Sequence, residues 1–141
     1  LYALNEQELA DIKQAVLIAE LDTSCEIVVH VEAVCSGDVM ERANEIFSQK
    51  VGHKTTGRNG VLFYLALRNR KFAVITDTAI TQTTPPRFWE ALKLDMLDYF
   101  RENNFTNGLI FGIGRTGQYL KNFFPYQHND VNELPDEVSV G

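Results

Sequence analysis

Oxygen donors are the side chains in this sequence with the clearest chemistry. Glu26 opens one apolar, β-branched run, Asp77 closes a later one, and Arg58 and Asn59 stand just before a run between them. Near the C-terminus, Asp130, Asn132 and Glu133 bring carboxylate and amide oxygens close together. Carboxylates, amides and backbone carbonyls on flexible loops suit a hard cation, Ca2+ first and Mg2+ less well because it demands stricter geometry. Asp77, Glu26, Asp130, Asn132 and Glu133 are therefore the candidate metal ligands, with Arg58 and Asn59 as candidate substrate contacts. On the residues alone a plainer reading stays open, in which Glu26 and Asp77 pair with Arg58 or His53 or cap a turn. For the C-terminal donors the plain alternative is a solvated tail. Against it, Val131, Leu134, Pro135 and Val138 give that stretch apolar side chains to pack. The stretch lacks the loop glycine and the spacing of an EF-hand.

Other patterns carry less. Gly112-Ile-Gly-Arg-Thr-Gly117 is a literal G-x-G-x-x-G, which marks a dinucleotide site when it follows a strand. Here the segment reads as a helix with Leu109, Ile110, Ile113, Leu120 and Phe124 inward. The glycines then permit close packing, at about 1 kcal/mol each relative to alanine. His30, between valines, reads as a partly buried, hydrogen-bonded histidine; His53 and His128 read as loop and tail residues. No histidine pair has zinc spacing. No Ser-His-Asp or Cys-His arrangement can be read from residue order. Trp89 stands at helical spacing and reads as core.

The elements that must position these residues follow from periodicity. Asn5 and Glu8 form a capping box, and Leu9, Ile12, Val16 and Ala19 recur at helical spacing, so a helix runs to near Asp22. Residues 26–34 are a strand. Asp38 with Glu41 caps a second helix carrying Ala43, Ile46 and Phe47. Residues 60–67 are apolar on both faces, which places them centrally in a sheet. A charged turn over 68–71 leads back into an antiparallel strand over 72–76. Residues 77–84 read as a polar loop. Pro85 and Pro86 start a third helix, with Phe88 or Trp89, Leu92, Met96, Tyr99 and Phe100 inward. A fourth helix spans about 109–124, stopped by Pro125. The order is α-β-α-β-β-α-α, with a right-handed β-α-β crossover. The two parallel strands begin at one edge and the third ends there, so Glu26, Arg58, Asn59 and Asp77 converge on that edge.

The chain has 141 residues, 45% of them apolar, which suits one domain with one sandwiched core. The formal net charge is -6, which gives no footprint for nucleic acid and favours cations or basic partners. Four of those charges fall in residues 127–141 (Asp130, Glu133, Asp136 and Glu137, with no Lys or Arg). Cys25 and Cys35 flank one strand and stand too far apart to bridge, which points to thiols in a reducing, cytoplasmic setting. No apolar run reaches membrane-spanning length. The chain begins at Leu1 rather than Met, so a removed targeting segment stays open.

Four stretches together resemble the TPM domain family. They are Thr23-Ser-Cys-Glu26-Ile-Val-Val after the opening helix, Glu41-Arg-Ala-Asn-Glu-Ile-Phe47, Arg58-Asn-Gly-Val-Leu-Phe-Tyr-Leu-Ala66, and Tyr99-Phe-Arg-Glu-Asn-Asn-Phe-Thr-Asn-Gly-Leu109. The closing Phe124-Pro-Tyr and Asn132-Glu-Leu-Pro resemble stand-alone, Bacteroidetes-type bacterial versions of the domain. The resemblance implies an α/β fold: a three-layer α-β-α sandwich with a small mixed Rossmann-like sheet over residues 1–126, and an acidic tail, 127–141, packed on it. It implies binding of divalent metal, calcium first, by a monomeric domain with a modulatory role and an unidentified protein partner. The alternative is a metal-dependent phosphatase or nucleotide phosphohydrolase. Where many relatives have a Gly-Tyr-Gly-like turn this chain has Thr76-Asp77-Thr78-Ala79, and Thr84-Pro85-Pro86-Arg87 replaces a stretch that is often acidic. Both departures weigh against hydrolysis, while Asp77 stays placed for a cation and is expected to matter more to binding than Asp136.

Overall fold

The structure is a computed structural model that describes residues 2–127 and 132–141. Asn5 caps α1 (Glu6–Ala19) with the reciprocal box expected of it: its side chain accepts from the Glu8 N–H while the Glu8 carboxylate accepts from the Asn5 N–H. The chain then forms β1 (Glu26–Glu32), α2 (Val39–Lys50), β2 (Gly60–Ala66) and β3 (Lys71–Thr76). It closes with α3 (Thr78–Thr83), α4 (Pro86–Arg101), α5 (Phe105–Leu120) and the two-residue β4 (Ser139–Val140).

The sheet order is β3-β2-β1-β4. β1 and β2 are parallel from Glu26↔Gly60 to Glu32↔Ala66, and β3 returns antiparallel with Val61 opposite Thr76. β2 is buried along its whole length, as a strand covered on both faces must be. Alternation divides the core in two. Ile27, Val29, Val31, Val61, Phe63 and Leu65 pack with residues of α1, α4 and α5. Val28, Leu62, Tyr64 and Ala66 pack with Ala43 and Ile46 of α2. Helices thus cover both faces of a mixed sheet, the three-layer α/β sandwich expected from the sequence.

Three elements differ from the sequence reading: α5 starts at Phe105 and ends at Leu120 rather than spanning about 109–124, and two elements are new. The polar stretch after Asp77 is a short helix, because the Asp77 side chain accepts from the Thr78 N–H and caps it. The C-terminal segment adds β4 parallel to β1, pairing His30 with Ser139 and Val31 with Val140. Leu134 from the same segment is buried in the core on the α2 side.

The glycines of the G-x-G-x-x-G stretch lie in α5. A Cβ on Gly117 would stand 2.8 Å from the Ala19 Cβ and 3.0 Å from its Cα, and one on Gly112 would overlap the Met96 sulfur. These two positions let α5 approach α1 and α4. No strand precedes the motif, so the phosphate-binding turn does not arise. Neither cysteine is in a disulfide. Among the described residues no helix is long and apolar enough to cross a membrane.

Candidate functional site

The strand wiring brings Glu26 and Asp77 to one edge. The Glu26 N–H donates to the Asn59 carbonyl and the Asp77 N–H to the Gly60 carbonyl. Their carboxylates are nevertheless engaged separately. Gly60 lies between them in the sheet, and the space above it is filled by Val51, whose Cγ1 is 2.5 Å from where a Gly60 Cβ would stand. Asp77, 3% exposed, caps α3 and accepts from Arg58 Nε at 3.4 Å. Arg58 adopts a positive φ of 50°, and Asn59 Nδ2 donates to the Ser24 carbonyl. The Arg58–Asn59 pair thus fastens the strand starts together.

Glu26 turns instead toward the C-terminal segment. Its buried carboxylate accepts from the backbone N–H of Glu133 at 2.6 Å and of Leu134 at 3.3 Å. Burial raises its pKa, and these two amides oppose the rise. The Glu133 side chain reaches away, accepting from the Thr56 N–H and hydroxyl, and so clips the C-terminal segment to the loop before β2. Asn132 Nδ2 donates to Asp136 Oδ2 at 2.7 Å. Asp130 lies outside the described residues.

Two further carboxyls meet this cluster. Glu20, at the C-terminal end of α1, accepts from the Ile27 N–H at 2.9 Å. Its pKa is pushed up to about 9, first by burial and then by a hydrogen bond with Asp136, with the Asp136 and Glu26 charges adding to it. Asp136 Oδ1 is buried and accepts no N–H donor, while its Oδ2 accepts from Asn132. Glu20, Glu26, Asn132 and Asp136 line one cavity of about 200 Å³, rimmed by Leu17, Leu21 and Tyr126. Among the described residues the lining holds no Lys or Arg.

The structure thus gathers Glu26 and Asn132 with Glu133 beside them, and leaves Asp77, Arg58 and Asn59 to hold the strand edge. Glu20 escaped the sequence reading because it passes for the solvated face of a helix. One signal marks it: a carboxylate at a helix C-terminus faces the negative end of the macrodipole, and no basic residue in the last turn offsets it. Asp136 could be placed only through the docking of the C-terminal segment.

A second buried polar group sits at the other end of β1. Glu32 accepts from Arg42 Nε and Nη2, both at 2.8 Å, and from the Tyr64 hydroxyl. The Arg42 bonds hold its pKa down at about 2. His30 makes a 2.9 Å hydrogen bond through Nδ1 with Ser139 of β4, and burial lowers its pKa.

A three-layer sandwich whose mixed sheet gathers acidic groups at its strand starts is the class these observations define. Residues 2–119 match the TPM domain model, and the chain belongs to the TPM domain family. Among solved structures it is similar to the BA42 protein of the psychrophilic bacterium Bizionia argentinensis, at 34% identity and a TM-score of 0.91, covering 98% of this chain and 95% of that one. The N-terminal domain of a protein from P. gingivalis shares the fold, at 17% identity and a TM-score of 0.69, covering 89% of this chain and 82% of that one. No curated protein matches.

Proposed function

We propose that this TPM domain is a monomeric, modulatory module that binds a divalent cation, Ca2+ ahead of Mg2+, in the cavity beside the end of α1. The observation that carries the reading is the meeting of Glu20 and Asp136 there, with one Asp136 oxygen buried and unpartnered. Like carboxyls held together need either a shared proton or a cation between them. Glu20, Asp136, the Asn132 carbonyl and Glu26 supply the hard oxygens that Ca2+ takes in a flexible shell. Among the described residues no group of three or more His, Cys, Asp or Glu side chains is arranged to hold an ion.

This assignment moves the weight from Asp77 to Asp136, because Asp77 already serves α3 and Arg58. The departures from the family pattern weigh against hydrolysis, and so does a cavity lining without a basic clamp, since phosphoryl transfer needs charge neutralised on the substrate. Calorimetric titration of Ca2+ into EDTA-stripped protein tests the reading. Heat of binding is expected, together with a linkage stabilisation of about 2.7 kcal/mol at a hundredfold excess over Kd, read as a rise in melting temperature. Glu20→Gln and Asp136→Asn should each weaken binding more than Asp77→Ala. Absence of both heat and thermal shift would sink the reading.

A further inference from the structure

The cavity has a rim as well as a floor, and the rim is apolar and exposed. Leu17 is 38% exposed, Leu21 65% and Tyr126 45%. Leu17 lies in the last turn of α1 and Leu21 just past its end, and both line the cavity with Glu20. Tyr126 is brought alongside by the joining of the two chain turns, where Thr23 bridges Pro125 and its hydroxyl donates to the Phe124 carbonyl. Scattered exposed apolar residues need no explanation, but several together around a polar recess mark a binding surface. A bare Ca2+ ion uses the carboxylates and leaves the apolar rim without a purpose.

We propose that rim and floor together form a docking surface for a protein segment that carries a lysine between apolar residues. The lysine ammonium sits among the carboxyl groups of Glu20, Glu26 and Asp136, its stem passes the rim, and the flanking apolar side chains cover Leu17, Leu21 and Tyr126. Long basic side chains bury their stems and keep the charged head on polar partners. Among the described residues that line the cavity, Glu20, Glu26 and Asp136 offer such a head carboxyl oxygens, and no basic side chain competes for them. Size points to a side chain rather than a free ligand: about 200 Å³ falls below the roughly 300–1,000 Å³ of small-molecule pockets. Charge agrees, since a chain of net charge -6 steers basic partners toward it. The proposal uses carboxylates of the cation reading but stands without any metal.

The test is fluorescence anisotropy of the full chain, in EDTA, with a labelled Leu-Lys-Leu peptide. Controls replace its lysine with norleucine or its leucines with serine. Tighter binding of the parent peptide is expected, with each change weakening it about tenfold, the equivalent of roughly 1.4 kcal/mol. Leu21→Ser, at an exposed position, should weaken the peptide to the same degree and leave the heat of Ca2+ binding unchanged. Asp136→Asn should weaken both, and Glu20→Gln repeats that reading if the first variant fails to fold. A norleucine peptide that binds as tightly, no binding of the parent peptide, or a folded Leu21→Ser chain with undiminished binding overturns the docking surface. Lysine-dependent binding without any heat from Ca2+ keeps the docking surface and removes the cation reading; heat from Ca2+ without peptide binding does the reverse.

Discussion

Glu32 is 8% exposed and gives both its oxygens to Arg42 while also accepting from Tyr64. Its folded pKa, about 2, lies below the ordinary 4.5. The stability it contributes is therefore present above pH 4.5 and is lost as pH falls toward about 2. Arg42→Ala should cost about 3 kcal/mol at neutral pH, the low end for a broken buried pair because Arg42 is partly exposed; denaturant unfolding measures it. Glu20 has the opposite sign. Its folded pKa, about 9, exceeds the ordinary 4.5, so the folded state holds the extra proton between those values. Its contribution is full below pH 4.5 and fades as pH climbs through about 9. In EDTA the melting temperature should fall across that window, and Glu20→Gln should flatten the decline. A profile with the same slope in both chains would remove Glu20 as the titrating group.

Helix α5 supplies a paired prediction about elements. A Cβ on Gly114 would meet nothing within 4 Å, whereas one on Gly117 meets the Ala19 backbone and Cβ. Gly114→Ala should stabilise by up to about 1 kcal/mol through helix propensity alone. Gly117→Ala gains the same propensity but forces α1 and α5 apart, and overpacking of that kind costs about 1–3 kcal/mol. Denaturation midpoints of the two variants should move in opposite directions. The close packing of this helix was legible from its apolar spacing, as was the box at Asn5 and the return of Asp77 to the Glu26 edge. All of these follow from local pattern and strand direction. Local pattern does not say what fills the space over a glycine, so the placing of Val51 over Gly60, which parts Glu26 from Asp77, stayed hidden. A two-residue strand such as β4 carries no periodicity at all, and without β4 neither the Ser139–His30 contact nor the position of Asp136 could be derived.

The acidic C-terminal segment joins the core to the candidate site. It extends the sheet at β1, buries Leu134 against the α2 side and gives the Glu26 carboxylate two N–H donors. It also delivers Asn132 and Asp136 to the cavity. A chain ending at Gln127 should therefore lose stability and cation response together. Removing Leu134 from the core and taking the two N–H donors from Glu26 should together cost at least about 3 kcal/mol. Leu134→Ala separates the two effects, because it removes apolar packing and keeps every oxygen of the cavity. That variant should melt lower than the parent yet give the same heat with Ca2+, whereas the shortened chain should melt lower and give none. If the shortened chain retained full Ca2+ binding, the ligands would lie elsewhere in the fold, and Asp77 with the loop before β2 would again be the place to look.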